Sequence, residues 1–325
     1  MNLLALLAVI AFGWALRRSI GRWTERSMLA RLPLSADGII EGAAGSVRPG
    51  SASRAVLVLH GFGDTPQTLH YLAEHLHGLG FTVHAPLLPG HGRTLAEFGA
   101  SGAEAWLAAA DHELAALRGT FDFVGLVGVS MGGALAVILA ARSVEAATDR
   151  GRSTDGAENA ARGAERGPDA LVLLAPYLNM RPRAQRLATM HWMVSPFAMY
   201  LPSREEGSIR DRTERTRNRG FGIVTPWLLK ELRQIVRRAQ RALPDVRQPT
   251  LVIQSRDDNR IEAAAATRSF ERLGSREKQF VWTEGSGHVI TVDTGREQVL
   301  ALTGEWLLER ADAIAPHSQP PPPTS

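Results

Sequence analysis

Short apolar runs alternate along this chain with stretches of helical character. Ala55-Val56-Leu57-Val58-Leu59, Phe121-Asp122-Phe123-Val124-Gly125-Leu126-Val127, Ala170-Leu171-Val172-Leu173-Leu174-Ala175, Pro249-Thr250-Leu251-Val252-Ile253-Gln254 and Gln279-Phe280-Val281-Trp282-Thr283 have the length and β-branched content of buried strands. Between and around them, residues 66–79, 101–118, 131–142, 262–273 and 295–310 read as helices. The alternation predicts an α/β fold: a mostly parallel central sheet with helices on both faces. Such a sheet collects its chemistry beyond the carboxyl ends of its strands.

Two regions break the pattern. Residues 146–169 are rich in Ala, Gly, Arg, Glu and Asp with almost no large apolar side chain, and read as a disordered surface insertion. The Pro-rich tail from His317 onward reads the same way.

Gly128-Val129-Ser130-Met131-Gly132 lies where a strand pattern meets a helix pattern, the setting of a nucleophile elbow. The pentapeptide alone is a weak signal, so its context carries the assignment. Glycines at 128 and 132 are expected because a turn this tight leaves no room for side chains where strand and helix close on one another.

A serine hydroxyl needs a base, and the base needs an acid to hold its tautomer. His288 is the base by position: it lies in the small-residue loop Glu284-Gly285-Ser286-Gly287-His288 after a late strand, whereas His70, His75 and His77 sit on a helix-like segment. Asp257 and Asp258 both follow the strand ending at Gln254, and spacing does not separate them. The strand Ala55–Leu59 runs into His60-Gly61-Phe62-Gly63-Asp64, a glycine-flanked turn that would aim the Phe62 N–H at a developing oxyanion. The second donor would be the N–H of Met131, the residue after the nucleophile.

On these segments, together with His84-Ala85-Pro86, Gly90-His91-Gly92 and Ser286-Gly287-His288-Val289-Ile290-Thr291-Val292-Asp293, the chain resembles the serine carboxylesterases and monoacylglycerol-lipase-like members of the α/β-hydrolase superfamily. It resembles small bacterial carboxylesterases of thermostable Bacillus type over roughly residues 53–310. The resemblance implies an α/β-hydrolase fold with a helical cap inserted before the acid-bearing strand, and it makes Asp258 the catalytic acid. It implies cleavage of a small-molecule or lipid ester through an acyl-enzyme on Ser130, with no metal and no organic cofactor. The chain departs from its relatives at Ser255, where Gly or Ala is usual, and at Met131, where Leu is common.

The same residues would serve an acyltransferase or a thioesterase, which differ in the nucleophile that reaches the acyl-enzyme. A non-catalytic ligand-binding protein of this fold is the alternative of another class, and an intact Ser130, Asp258 and His288 set argues against it.

The cap falls at 177–247. Its large apolar side chains include Met193, Phe197 and Trp227, candidates for a pocket roof that adapts to acyl chains. Residues 181–241 hold 13 Arg and one Lys against five acids, a net of +9, which leaves about −5 on the rest of a chain whose formal charge is +4. Arg supplies 35 of the 37 basic residues, which points to composition bias, and no nucleic-acid-binding motif is present. The absence of cysteine excludes disulfides and Cys-based metal sites. Nothing in the sequence sets an oligomeric state.

Residues 1–16 carry no charged side chain and are followed by Arg17, Arg18 and Arg22. As a helix they reach about 24 Å, short of the ~30 Å hydrocarbon core unless the arginines snorkel. A cleavable signal would want positive charge ahead of the apolar run. The expectation is membrane association through residues 1–16, with the catalytic domain on the cytoplasmic side; an export signal and a helix packed on the domain are the alternatives, which would leave the protein exported or cytoplasmic. The chain then divides into an anchor segment (1–23), a linker and domain start (24–52), core (53–176 and 248–312), cap (177–247) and a disordered tail (313–325).

Overall fold

The computed structural model describes residues 3–150, 167–203 and 207–314, with side chains described from residue 11 and outside 143–150. In chain order the elements are α1 (Leu3–Arg31), β1 (Ser46–Arg48), β2 (Arg54–Leu59), α2 (His70–Gly78), β3 (Thr82–Ala85), α3 (Leu95–Ala100), α4 (Ala103–Arg118), β4 (Phe123–Val129) and α5 (Met131–Arg150). They continue with β5 (Ala170–Leu174), α6 (Pro182–Thr189), α7 (His191–Val194), β6 (Leu201–Pro202), α8 (Arg212–Arg217), β7 (Ile223–Val224) and α9 (Pro226–Ala242). The chain closes with β8 (Thr250–Ser255), α10 (Ala263–Glu271), β9 (Lys278–Thr283) and α11 (Arg296–Ile314).

Seven strands form one sheet in the order β1-β3-β2-β4-β5-β8-β9. Only β1 runs antiparallel, against β3; the remaining pairs are parallel. All seven residues of β4 are buried, as a strand covered by helices on both faces requires. Alternation sorts neighbouring side chains to opposite layers. Leu57, Leu59 and Leu126 join one core with residues of α4, α5 and α9, while Val56, Val58 and Val127 join the other with residues of α2, α10 and α11. This is an α/β-hydrolase fold, with a cap inserted between β5 and β8.

Within the cap, β6 and β7 pair antiparallel. Helix α9 is capped by Thr225, whose hydroxyl accepts the Leu228 N–H at 3.1 Å, and it buries Leu228, Leu232, Ile235, Val236 and Ala239 along one face. That stripe has helical spacing, so the cap is fastened to the core by ordinary amphipathic packing.

Three expectations change. Helix α5 runs to Arg150, past the position where the insertion of 146–169 was expected to start; residues 151–166 lie outside the described residues, as does the tail beyond Ile314, where α11 ends. Among the described residues no helix is long and apolar enough to cross a membrane, so the anchor expected at 1–16 is not supported, and the cytoplasmic placement that rested on it falls with it. The side chains of residues 1–10 lie outside those described. Beyond them α1 continues through Arg17, Arg18, Arg22, Glu25 and Arg26 as one helix. Near its end it buries Met28, and Leu32 just after it, in the core, and at Gly21 it packs against the Met199 thioether of the cap.

Candidate active site

Ser130 stands in the turn between β4 and α5 with φ of 54°, in the left-handed region, a strained conformation for a residue with a Cβ. Its surroundings hold it there. The Ser130 N–H donates to the Leu174 carbonyl at 3.0 Å, and its own carbonyl accepts from Gly133 and Tyr177 at 3.0 and 2.9 Å. A Cβ on Gly128 would run into the Gly132 backbone, and one on Gly132 into the Leu59 carbonyl. The two glycines are therefore required by contact, as the pentapeptide reading expected.

His288 comes in from the loop after β9. Its Nε2 lies 2.8 Å from Ser130 Oγ and its Nδ1 2.8 Å from Asp258 Oδ2. A carboxylate only accepts, so Nδ1 carries the proton and Nε2 is left to accept from the serine hydroxyl. Asp258 is almost wholly enclosed. Its Oδ1 accepts the N–H groups of Arg260 and Ile261 at 2.7 and 2.9 Å, and its Oδ2 also takes the Gln254 amide at 2.7 Å. Burial pushes the Asp258 carboxyl up, but His288 and these donors outweigh it and hold the group below the ordinary carboxylate value. Asp257 points elsewhere. It accepts the Gly285 N–H at 2.8 Å and faces Arg210 at 3.3 Å near the surface, and the Gly285 bond lowers its pKa.

The turn His60–Gly63 lies beside the serine: a Cβ on Gly61 would sit 3.3 Å from Ser130 Cβ. His60 is buried and braces this turn. Its Nδ1 donates to the Gly61 carbonyl at 2.9 Å, and its Nε2 accepts the Leu88 N–H at 3.0 Å. Burial lowers its pKa to about 4, so the ring is neutral, as that pair of bonds demands. The Phe62 ring is held among Phe98 at 5.4 Å, Trp106 at 5.7 Å and His91 at 6.4 Å between centroids. Met131 is fully buried. Among the described hydrogen bonds neither the Phe62 nor the Met131 amide has an acceptor.

Met193, Phe197 and Trp227 lie on the exposed surface of the cap, with Phe197 88% exposed. Trp227 packs edge-on to His191 and carries the Lys230 ammonium 3.7 Å from its ring centre. No described contact joins any of the three to Ser130. Among the described residues there is no group of three or more side chains suited to holding a metal ion.

Three residues near the site escaped the sequence reading. Ser255 is buried and donates to the Ser286 carbonyl at 2.6 Å. Asp64, directly after the His60–Gly63 turn, accepts from Thr68 Oγ1 at 2.8 Å; burial raises its pKa to about 6. Asp293 is wholly buried at the end of the Ser286–Asp293 motif block. A signal for Ser255 was available, since it departs from the small residues usual in the relatives.

Residues 56–302 match the model of the alpha/beta hydrolase family, to which the chain belongs. A carboxylesterase of Bacillus subtilis (strain 168) is 26% identical over 255 residues, 78% of this chain and 92% of that protein. The thermostable monoacylglycerol lipase of Bacillus sp. (strain H-257) is 23% identical over 256 residues, 79% of this chain and 91% of that protein. Among solved structures, one described with the metagenome-derived lipolytic enzymes LipS and LipT superposes with a TM-score of 0.69 at 29% identity, covering 83% of this chain and 99% of that one. The monoacylglycerol lipase of Paleococcus ferrophilus shares the fold, with a TM-score of 0.65 at 19% identity over 82% of this chain and 98% of that one.

Proposed function

We propose that this protein is a serine ester hydrolase of carboxylesterase or monoacylglycerol-lipase type. The observation that carries the reading is the unbroken chain from Ser130 Oγ to His288 Nε2 and from His288 Nδ1 to Asp258, 2.8 Å at each link. The lipolytic and esterolytic relatives point the same way.

In this reading His288 takes the hydroxyl proton as Ser130 Oγ attacks the ester carbonyl carbon. The carbonyl π pair moves onto oxygen, where the Phe62 and Met131 amides receive the charge. Fixed donors of this kind are worth on the order of 3 kcal/mol each, because they need no reorganisation as charge develops. Collapse of the tetrahedral intermediate expels the alcohol, which takes the proton from His288. Water then attacks the acyl-enzyme with His288 again as base, releasing the acid and restoring the serine. Asp258 stays ionised throughout and offsets the positive charge on the imidazolium.

Hydrolysis of p-nitrophenyl esters from short to long acyl chains, by wild type and by Ser130→Ala, tests the reading. Turnover by wild type that disappears in a folded Ser130→Ala protein is expected. Absence of turnover at every chain length, or its survival in the variant, would overturn it.

A further inference from the structure

His288 is held from both sides by the cap. Asp293, five residues on and wholly buried, points its carboxylate back into its own loop. Its Oδ2 accepts the Gly287 N–H at 2.6 Å. Its Oδ1 accepts the Thr294 N–H at 2.8 Å and the Thr294 hydroxyl at 3.2 Å. The same carboxylate reaches across to the cap, where it takes the Arg210 N–H at 2.9 Å on either oxygen and the Asp211 N–H at 2.8 Å. On the other side of the histidine, the Val289 N–H donates to the Ser208 carbonyl at 3.0 Å. Gly287 itself lies so close to Gly207 and Ser208 that a Cβ there would collide with their backbone.

Val289 is thus bonded directly, and Gly287 through the Asp293 carboxylate, to one cap segment, 207–211. That segment is also tied to the acid loop: Arg260, two residues past Asp258, donates from Nε to Ser208 Oγ at 3.1 Å and from its guanidinium to the Ser203 carbonyl at 2.5 Å. A carboxylate is suited to the junction because it offers about four acceptor sites and no donor, so one side chain satisfies amides from two separate stretches of chain. Charge-assisted bonds of this kind are the shorter and stronger sort.

We propose that Asp293 is a positioning residue through which cap segment 207–211 holds His288 in register with Ser130, so that the cap governs the chemical step as well as access to the site. The inference rests on the reading of Ser130, His288 and Asp258 as catalytic groups. Asp293 does not touch the reacting atoms; it acts by fixing the Gly287 amide, and with it the entry of the chain into His288. Displacing an imidazole by a fraction of an ångström from a hydroxyl it must deprotonate lowers the rate of that step while leaving substrate binding intact.

The test is Asp293→Asn, which keeps the shape but turns an NH2 group toward N–H donors. It is assayed beside wild type and Ser130→Ala on one p-nitrophenyl ester. The expected result is a fall in kcat of about 50-fold or more with KM within about threefold. Phosphonate labelling of the serine should slow by a similar factor, and the far-downfield proton signal of the His288–Asp258 bond should shift or vanish. A folded Asp293→Asn protein with wild-type kcat and an unchanged signal, beside an inactive Ser130→Ala, overturns the inference and leaves the hydrolase reading standing. An inactive wild type, or an active Ser130→Ala, fails the hydrolase reading and the inference with it. If Asp293→Asn does not fold, Arg260→Met decides, because it loosens the same cap segment from the acid loop and leaves Asp293 in place. A kcat lowered about fivefold at constant KM supports the coupling, and wild-type kcat overturns it.

Discussion

The Ser255 hydroxyl donates to the Ser286 carbonyl at 2.6 Å and accepts the Asp257 N–H at 3.1 Å, so one buried side chain joins the loop that carries Asp258 to the loop that carries His288. Relatives that place Gly or Ala here have no such bond available. Ser255→Ala leaves a buried carbonyl and an amide without these partners, which costs about 1–3 kcal/mol. The expected outcome is a lower urea midpoint with an unchanged slope. A variant as stable as wild type would show that water or a small shift replaces the bond.

Adjacent carboxylates at 257 and 258 have separate fates. Asp258→Asn replaces the acceptor of the His288 Nδ1–H bond by a group able to impose the other tautomer, and kcat should fall on the order of 10⁴-fold. Asp257→Asn removes a surface contact to Arg210 and weakens one bond to Gly285; its kcat should stay within about threefold of wild type, as surface substitutions do. Steady-state kinetics on the two folded variants separates them, and equal losses would contradict the geometry.

The inner strands β2, β4, β5 and β8 were legible because they are covered on both faces and so appear as unbroken apolar runs, Phe123–Val129 above all, whereas the short strands β1 and β3 were not read. Ser130 follows such a run and His288 follows the half-buried edge strand β9, each in a glycine-rich turn. Asp258 was not separable from Asp257 by spacing; only the direction of the turn after β8 distinguishes them, and the family resemblance supplied the choice. Asp293 left no role to read, since its cap partners are backbone N–H groups some 80 residues earlier in the chain. The N-terminal segment misled for a different reason. Its apolar run stops at Leu16, but the helix does not, and burial of Met28 and Leu32 at its far end ties it to the domain.

Two buried groups give opposite pH dependences of stability. His60, lowered to about 4 from an ordinary 6.5, contributes stability that is complete above pH 6.5 and is lost as pH falls toward 4, because the unfolded chain takes the proton first. Asp64, raised to about 6 from 3.8, costs stability as pH rises from 3.8 through 6, since the folded state must ionise a carboxyl it encloses. Asp64→Asn should therefore stabilise the protein at pH 8, by at most about 3 kcal/mol and less in so far as the residue keeps partial exposure. Near pH 4 it should change little. Chemical unfolding of both proteins at the two pH values checks the sign, and a variant less stable than wild type at pH 8 would contradict it.

In the proposed function, His288 and Asp258 activate Ser130 as a nucleophile. The most direct measurement is covalent labelling with a fluorophosphonate, followed by mass spectrometry of the modified peptide. One phosphonyl group per chain is expected, on the peptide containing Ser130, with labelling abolished in Ser130→Ala and strongly slowed in His288→Ala. Stoichiometric labelling of another residue, or ester turnover by a wild-type protein whose Ser130 stays unlabelled, would contradict the account.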